Sequence, residues 1–274
     1  MIKIREYCEP GKGLIYWWLD RLVISLIAGL FYVISRLFCR IKVRGKENIP
    51  DRGQMLFLAN HPSTIGVFAV FVAVFWPWVL KNMAMIPIVV GKSKYFRRTG
   101  PFQLILRHFR VIALRDKKEV GKRSGVVQTV VEILTQVSPC AVWLFATGTR
   151  DDPEQKQLPP FMGGVGRIVA ETRPTIIFVW DQGSKEIMPK GRWFPRVRIP
   201  RRLVTIDISG PIKASDRYTK LHRVCQASVA GDCQPVADYL RHLCWSFAAA
   251  KRPDLLAVER VGREVHPYDR SLLL

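Results

Sequence analysis

Acidic residues are scarce in this sequence: 22 Asp and Glu stand against 43 Lys and Arg, and none occurs between Asp51 and Asp116. The formal charge of +21 is more than a fold requires, so it describes what the surface meets, and the partner it implies is anionic. Also missing is any C-x-x-C pair. Cys8, Cys39, Cys140, Cys225, Cys233 and Cys244 are scattered, with no His or Cys at zinc-ligand spacing beside them, which argues against a thiolate metal site and for reduced thiols. No internal repeat or low-complexity block is visible, and the first apolar run lacks both the leading basic stretch and the small-residue cleavage site of a secretory signal. His108, His222, His242 and His266 have no partner pattern.

The 274 residues are 49% hydrophobic, enough for one α/β domain with an appended N-terminal segment. From Leu14 to Phe38 the chain is almost wholly apolar and aromatic, but Asp20, Arg21 and Arg36 leave only 14 uncharged residues, Leu22 to Ser35, where a spanning helix needs about 20. Tyr16, Trp17, Trp18 and Tyr32 suit a headgroup region, and Arg36, Arg40, Lys42, Arg44 and Lys46 suit anionic lipid. Residues 1–45 therefore read as a membrane-associating helical segment, with a buried core helix as the alternative. Residues 46–250 read as the folded domain and 251–274 as a mixed-charge tail. A nucleic-acid surface fits less well, because the basic residues adjoin long apolar runs rather than stacking aromatics on a polar face.

Met55 to Ala59 reads as a buried strand that ends abruptly at Asn60-His61-Pro62-Ser63-Thr64, with Pro62 placed like a first-turn helix proline. Ile65 to Leu80 carries no charge and would form a helix apolar on all sides. Val126, Val127, Val130, Val131, Leu134 and Val137 recur at helical spacing. Ala141 to Phe145 is a second buried strand, ending in Ala146-Thr147-Gly148-Thr149-Arg150, and Thr175 to Trp180 and Leu203 to Ile208 are further strands. Alternating strands and helices predict an α/β fold, a mostly parallel or mixed sheet flanked by helices.

Active sites of such sheets collect where strands end, and two endings here are dense in polar residues. His61, at a strand end, is of the residue type that serves as a general base near neutral pH, since an imidazole ordinarily titrates at about 6.5. Gly148-Thr149-Arg150 offers close backbone approach, a hydroxyl and a bidentate guanidinium, all suited to phosphate. Either alone also fits a structural role.

Their order and spacing resemble the four sequence blocks of the PlsC-like (lysophosphatidic acid) acyltransferase family across roughly residues 46–212. The family's Asn-His-x4-Asp stands here as Asn60-His61-Pro62-Ser63-Thr64-Ile65-Gly66; its strand ending in arginine as Val111-Ile112-Ala113-Leu114-Arg115; its Phe-Pro-Glu-Gly-Thr-Arg as Phe145-Ala146-Thr147-Gly148-Thr149-Arg150; and its proline-led apolar strand as Pro174-Thr175-Ile176-Ile177. Pro160-Phe161-Met162-Gly163-Gly164 and Ile208-Ser209-Gly210-Pro211-Ile212 are similar to two later segments of the family. The resemblance implies an acyltransferase that moves an acyl chain from a coenzyme A or acyl-carrier-protein thioester to a lysophospholipid or related glycerolipid, with no other cofactor and no metal; the charge, apolar runs and scattered cysteines add the expectation of the cytoplasmic face of an anionic membrane and no nucleic acid. The resemblance also implies His61 as the base, and Asn60, Ser63, Arg115, Thr147, Gly148, Thr149 and Arg150 as substrate contacts.

Three acidic positions of the family pattern are absent: Gly66 replaces the dyad aspartate, Thr147 the glutamate, and Leu114 stands where an aspartate commonly precedes the arginine. Replacing the orienting aspartate of a serine protease costs about 10⁴-fold in rate, roughly 5 kcal/mol, which sets the scale of what another carboxylate must supply. Asp116, Asp151, Asp152 and Asp181 are the candidates, and the sequence does not select among them. The alternative is a catalytically silent homologue that binds lipid or acyl donor.

Overall fold

The computed structural model describes residues 14–62, 74, 85–92, 111–114, 124–148, 158–187, 200–228 and 232–251. Its first element is helix α1 (Leu14–Phe38), which runs directly into strand β1 (Cys39–Arg44). After a single 3-10 turn at Lys46–Asn48 come β2 (Gln54–Ala59), β3 (Ile88–Lys92), β4 (Val111–Leu114), α2 (Ser124–Gln136) and β5 (Cys140–Phe145). The chain continues with α3 (Gly163–Thr172), β6 (Thr175–Gln182), the single turn α4 (Ser184–Ile187), β7 (Arg202–Ile208), β8 (Ile212–Lys213), α5 (Lys220–Ala227) and α6 (Gln234–Lys251).

All the described strands join one sheet in the order β1-β7-β6-β2-β5-β3-β4, with β8 on β6. The run β6-β2-β5-β3-β4 is parallel throughout. β7 lies antiparallel to β6 and carries β1 parallel to itself, so the sheet is mixed but mostly parallel. The expected α/β architecture is present. The strands foreseen from residues 55–59, 141–145, 175–180 and 203–208 all form, each within two residues of its expected ends.

Central parallel strands are covered on both faces and so are apolar without alternation; in β2, Met55 to Ala59 are all buried. Leu56, Leu58, Val142, Leu144, Ile176, Phe178 and Trp180 point to one face, where α2, α3, α5 and α6 pack through residues such as Ile133, Val169, Leu221 and Leu240. Met55, Phe57, Ala59, Trp143, Ile177 and Val179 point to the other, together with Cys39, Ile206 and Ile187. β1 does alternate: Cys39, Ile41 and Val43 turn toward the core, while Arg40, Lys42 and Arg44 are exposed. It forms one end of the strand order, and its pairing with β7 makes residues 39–44 part of the sheet rather than of the N-terminal segment to which the 1–45 boundary assigns them.

Helix α1 has the expected position. Among the described residues no helix is long and apolar enough to cross a membrane. Leu22, Leu26, Leu30, Val33 and Leu37 recur every three or four residues and stand out from it, each more than half exposed, while Ser25, Ala28 and Ser35 are buried. The expected apolar helix over Ile65–Leu80 lies outside the described residues except for Val74, which is helical and buried.

Candidate functional site

β2, β5 and β6 run side by side in the same direction, so their C-terminal ends share one edge of the sheet. β2 delivers Asn60 and His61 there, β5 delivers Ala146-Thr147-Gly148, and β6 delivers Asp181 and Gln182. Parallel pairing of β3 with β5 and β4 brings the end of β4, at Leu114, to the same side.

His61 is half-buried, and its ring stacks on Phe145 with centroids 4.3 Å apart and planes inclined by 26°. Phe145 meets the edge of Trp143 (6.3 Å, 64°), and Trp143 stacks on Phe57 (5.6 Å, 16°). Both Trp143 and Phe57 are fully buried, so the imidazole sits at the end of an aromatic row anchored in the core. Contact with a fixed aromatic surface restricts the rotamers open to His61, a restriction that adds to the area it buries.

Asn60 is 7% exposed, and its amide is committed to the backbone of β6: Nδ2 donates to the Asp181 carbonyl at 2.9 Å, and the Asp181 N–H donates to Oδ1 at 2.8 Å. The Asn60 N–H donates to the Val179 carbonyl at 3.4 Å, extending the β2–β6 ladder past Ala59. A side chain thus completes the pairing that the strand backbone no longer supplies, which explains an asparagine immediately before the histidine in terms of strand pairing rather than of ligand contact. On the neighbouring strand, Gly148 N–H donates to Phe145 O at 2.9 Å, and Gly148 takes φ +66°, a conformation glycine adopts without steric cost. A Cβ there would come within 2.5 Å of Met162 Sδ, so the turn lies tightly on the start of α3. Thr147 is buried.

Asp181 is 5% exposed; its Oδ2 accepts from Ser184 Oγ at 2.6 Å, across a turn opened by Gly183 at φ +93°. Near it lies the Cys39 thiol, pushed up to about 11 by its burial first and by the Asp181 carboxylate second, against the opposing pull of Arg201 and Arg36. Among the described residues Cys39, Cys225 and Cys233 are free thiols. Among the described residues no group of three His, Cys, Asp or Glu could hold a metal ion.

The structure thus places His61, Asn60, Thr147 and Gly148 along one sheet edge. Ser63, Gly66, Arg115, Thr149 and Arg150 lie outside the described residues, as do Asp116, Asp151 and Asp152. Nothing along the chain singles out Asp181 or Ser184; the one available signal, a strand ending in Asp-Gln-Gly-Ser, shows its meaning only once β6 is known to lie beside β2.

The sequence model of the acyltransferase family matches residues 40–180, just over half of the chain. No curated protein matches the sequence. Among solved structures, the 1-acyl-sn-glycerophosphate (LPA) acyltransferase PlsC from Thermotoga maritima is similar in fold, with a TM-score of 0.55 and 19% identity over 86% of this chain and 81% of that one. The matched span runs from β1 to Trp180 in β6 and contains His61 and the Thr147-Gly148 turn, and the chain belongs to the acyltransferase family.

Proposed function

We propose that this acyltransferase moves an acyl chain from a coenzyme A or acyl-carrier-protein thioester to the hydroxyl of a lysophospholipid or related glycerolipid, the substrate class named for the PlsC structure that it resembles. The observation that carries the reading is His61, fixed by Phe145 at the sheet edge beside the Thr147-Gly148 turn. In the reaction the acceptor oxygen attacks the thioester carbonyl while His61 takes the hydroxyl proton; the C–S bond then breaks, and the proton passes to the leaving thiolate, giving an ester and a free thiol. Arg115 and Arg150, with the Gly148-Thr149 backbone, hold the acceptor phosphate. Thr147 and Ser63 are further substrate contacts in this reading, and no metal or further cofactor takes part.

The exposed stripe Leu22, Leu26, Leu30, Val33 and Leu37, with Arg36, Arg40, Lys42 and Arg44 following, supports a helix lying in the surface of an anionic membrane at its cytoplasmic face, from which the acyl chain reaches the site without crossing water. Purified protein with a labelled acyl thioester and lysophospholipid acceptors in micelles is expected to form the diacyl product. His61→Ala is expected to lower turnover by at least 10²-fold with an almost unchanged melting temperature; full activity in that variant rules the reading out.

The glycine at position 66 favours a second reading, a silent homologue that binds lipid or thioester. Binding without turnover in the parent chain, and turnover gained in Gly66→Asp, would establish it.

A further inference from the structure

The acidic residue missing from the segment after His61 has a structural counterpart on the neighbouring strand. β2 and β6 pair in parallel with a constant offset, from Met55 opposite Thr175 to Ala59 opposite Val179, and the Asn60 N–H to Val179 O bond carries the ladder one step further. Continued two residues beyond the end of β2 at Ala59, the same offset points His61 toward Asp181. Adjacent strands lie about 4.8 Å apart, and side chains alternate between faces. Val179 belongs to one core cluster, so Asp181, two positions on in β6, leaves the sheet from that same face, and Phe145, on which the His61 ring stacks, packs against the same cluster. Nδ1 of His61 and Oδ1 of Asp181 are both shielded from solvent.

We propose that Asp181 is the positioning carboxylate for His61, taking the part for which the chain has Gly66. The inference rests on the reading of His61 as the catalytic base and goes beyond it by naming the group that orients the imidazole and stabilises its protonated form.

Two features built around Asp181 serve that role. Asn60 grips both backbone groups of Asp181, with bonds of 2.9 and 2.8 Å, which locks the register between the two strand ends. Ser184 holds Oδ2 at 2.6 Å and so fixes the rotation of the carboxylate. A hydroxyl donated to a carboxylate favours its charged form, and beside an imidazole such a charge favours the imidazolium formed when the acceptor hydroxyl loses its proton.

Among the described residues, the Cys39 thiol feels the Asp181 charge, with Arg36 and Arg201 acting on that thiol from α1 and from the residue before β7, and an Arg202–Glu186 ion pair joins β7 to α4. Asp207 is opposite Trp180 in the β6–β7 register and therefore belongs to the other face of the sheet.

The test uses the full chain and two readouts, one of which needs no activity. Wild type, Asp181→Asn, Asp181→Glu and Asp207→Asn are titrated by NMR of the His61 ring, and kcat and KM for acyl transfer are measured from pH 5 to 9. The expected result for Asp181→Asn is a His61 titration moved to lower pH by about one unit, kcat lowered on the order of 10³-fold and KM little changed. Asp181→Glu restores part of both, and Asp207→Asn leaves the His61 titration in place. An unmoved His61 titration in Asp181→Asn overturns the inference, whether or not kcat falls, because a purely structural aspartate would lower activity without touching the imidazole's proton. If wild type shows no acyl transfer, the proposed reaction fails, and the titration still decides whether Asp181 governs His61.

Discussion

Cys39 shows how one buried thiol reports on the neighbourhood of the site. Its value of about 11, against an ordinary 9.0, means that the folded chain holds this proton more tightly than the unfolded one does. Between pH 9 and 11 the folded state therefore binds more protons, and stability falls as pH rises through that window, while below pH 9 the contribution is constant. Two units correspond to about 3 kcal/mol. Urea unfolding at pH 8.5 and at pH 11 should show wild type losing about 2–3 kcal/mol more than Cys39→Ala over that interval. Equal losses would place the thiol in a more hydrated setting than the structure gives it. Asp181 contributes to that shift, so the same measurement in Asp181→Asn should show a smaller loss than wild type.

At the scale of elements, the contact between α3 and α6 is set by an absent side chain. Gly166 is buried in α3, and a Cβ there would overlap the carbonyl of Cys233 and come within 2.9 Å of the Ala237 nitrogen, backbone atoms at the start of α6 that cannot rotate away. Helix propensity alone favours alanine over glycine by about 1 kcal/mol, so the sign of Gly166→Ala is informative. Overpacking should win, with a net loss of about 1–3 kcal/mol, seen as a lower denaturation midpoint at an unchanged m value. Interfaces of this kind explain what the sequence showed and what it hid. Strands buried on both faces, such as β2, β5 and β6, were legible because an unbroken apolar run is itself the signal. β1 was not, because its Arg40, Lys42 and Arg44 read equally well as the basic flank of a membrane helix, and only the pairing with β7 gives the alternation its meaning. α3, α5 and α6 carry small or polar residues amid their apolar positions and follow no strong motif; α3 begins at Gly163-Gly164 with no side-chain cap. That His61 and Gly148 follow the ends of buried strands was legible from local order along the chain. The Asp181 relation was not, since it joins residues 120 apart through a strand register that sequence alone does not supply.

For the whole molecule, charge and exposed apolar surface act together. On the proposed reading, a net +21 would attract an anionic bilayer over about a Debye length, and the five exposed aliphatic residues along one side of α1 would supply the short-range attachment. Sedimentation with vesicles of phosphatidylglycerol and phosphatidylcholine should show binding that weakens as salt rises. The double change Leu26→Glu and Leu30→Glu should reduce it by 10-fold or more without altering the His61 titration. Binding unaffected by that change would move the attachment surface elsewhere.

The outward row on β1 has a consequence for how the protein behaves in concentrated solution. Among the described residues β1 ends the sheet, a strand end of that kind is a template for another chain, and Arg40, Lys42 and Arg44 stand along it. Two copies approaching margin to margin bring like charges together, so the row acts as a guard against edge-to-edge polymerisation. Its strength depends on ionic strength, because salt shields those charges. Storage in high salt, often chosen to keep basic proteins from sticking to acidic contaminants, therefore removes the barrier that keeps copies of this one apart.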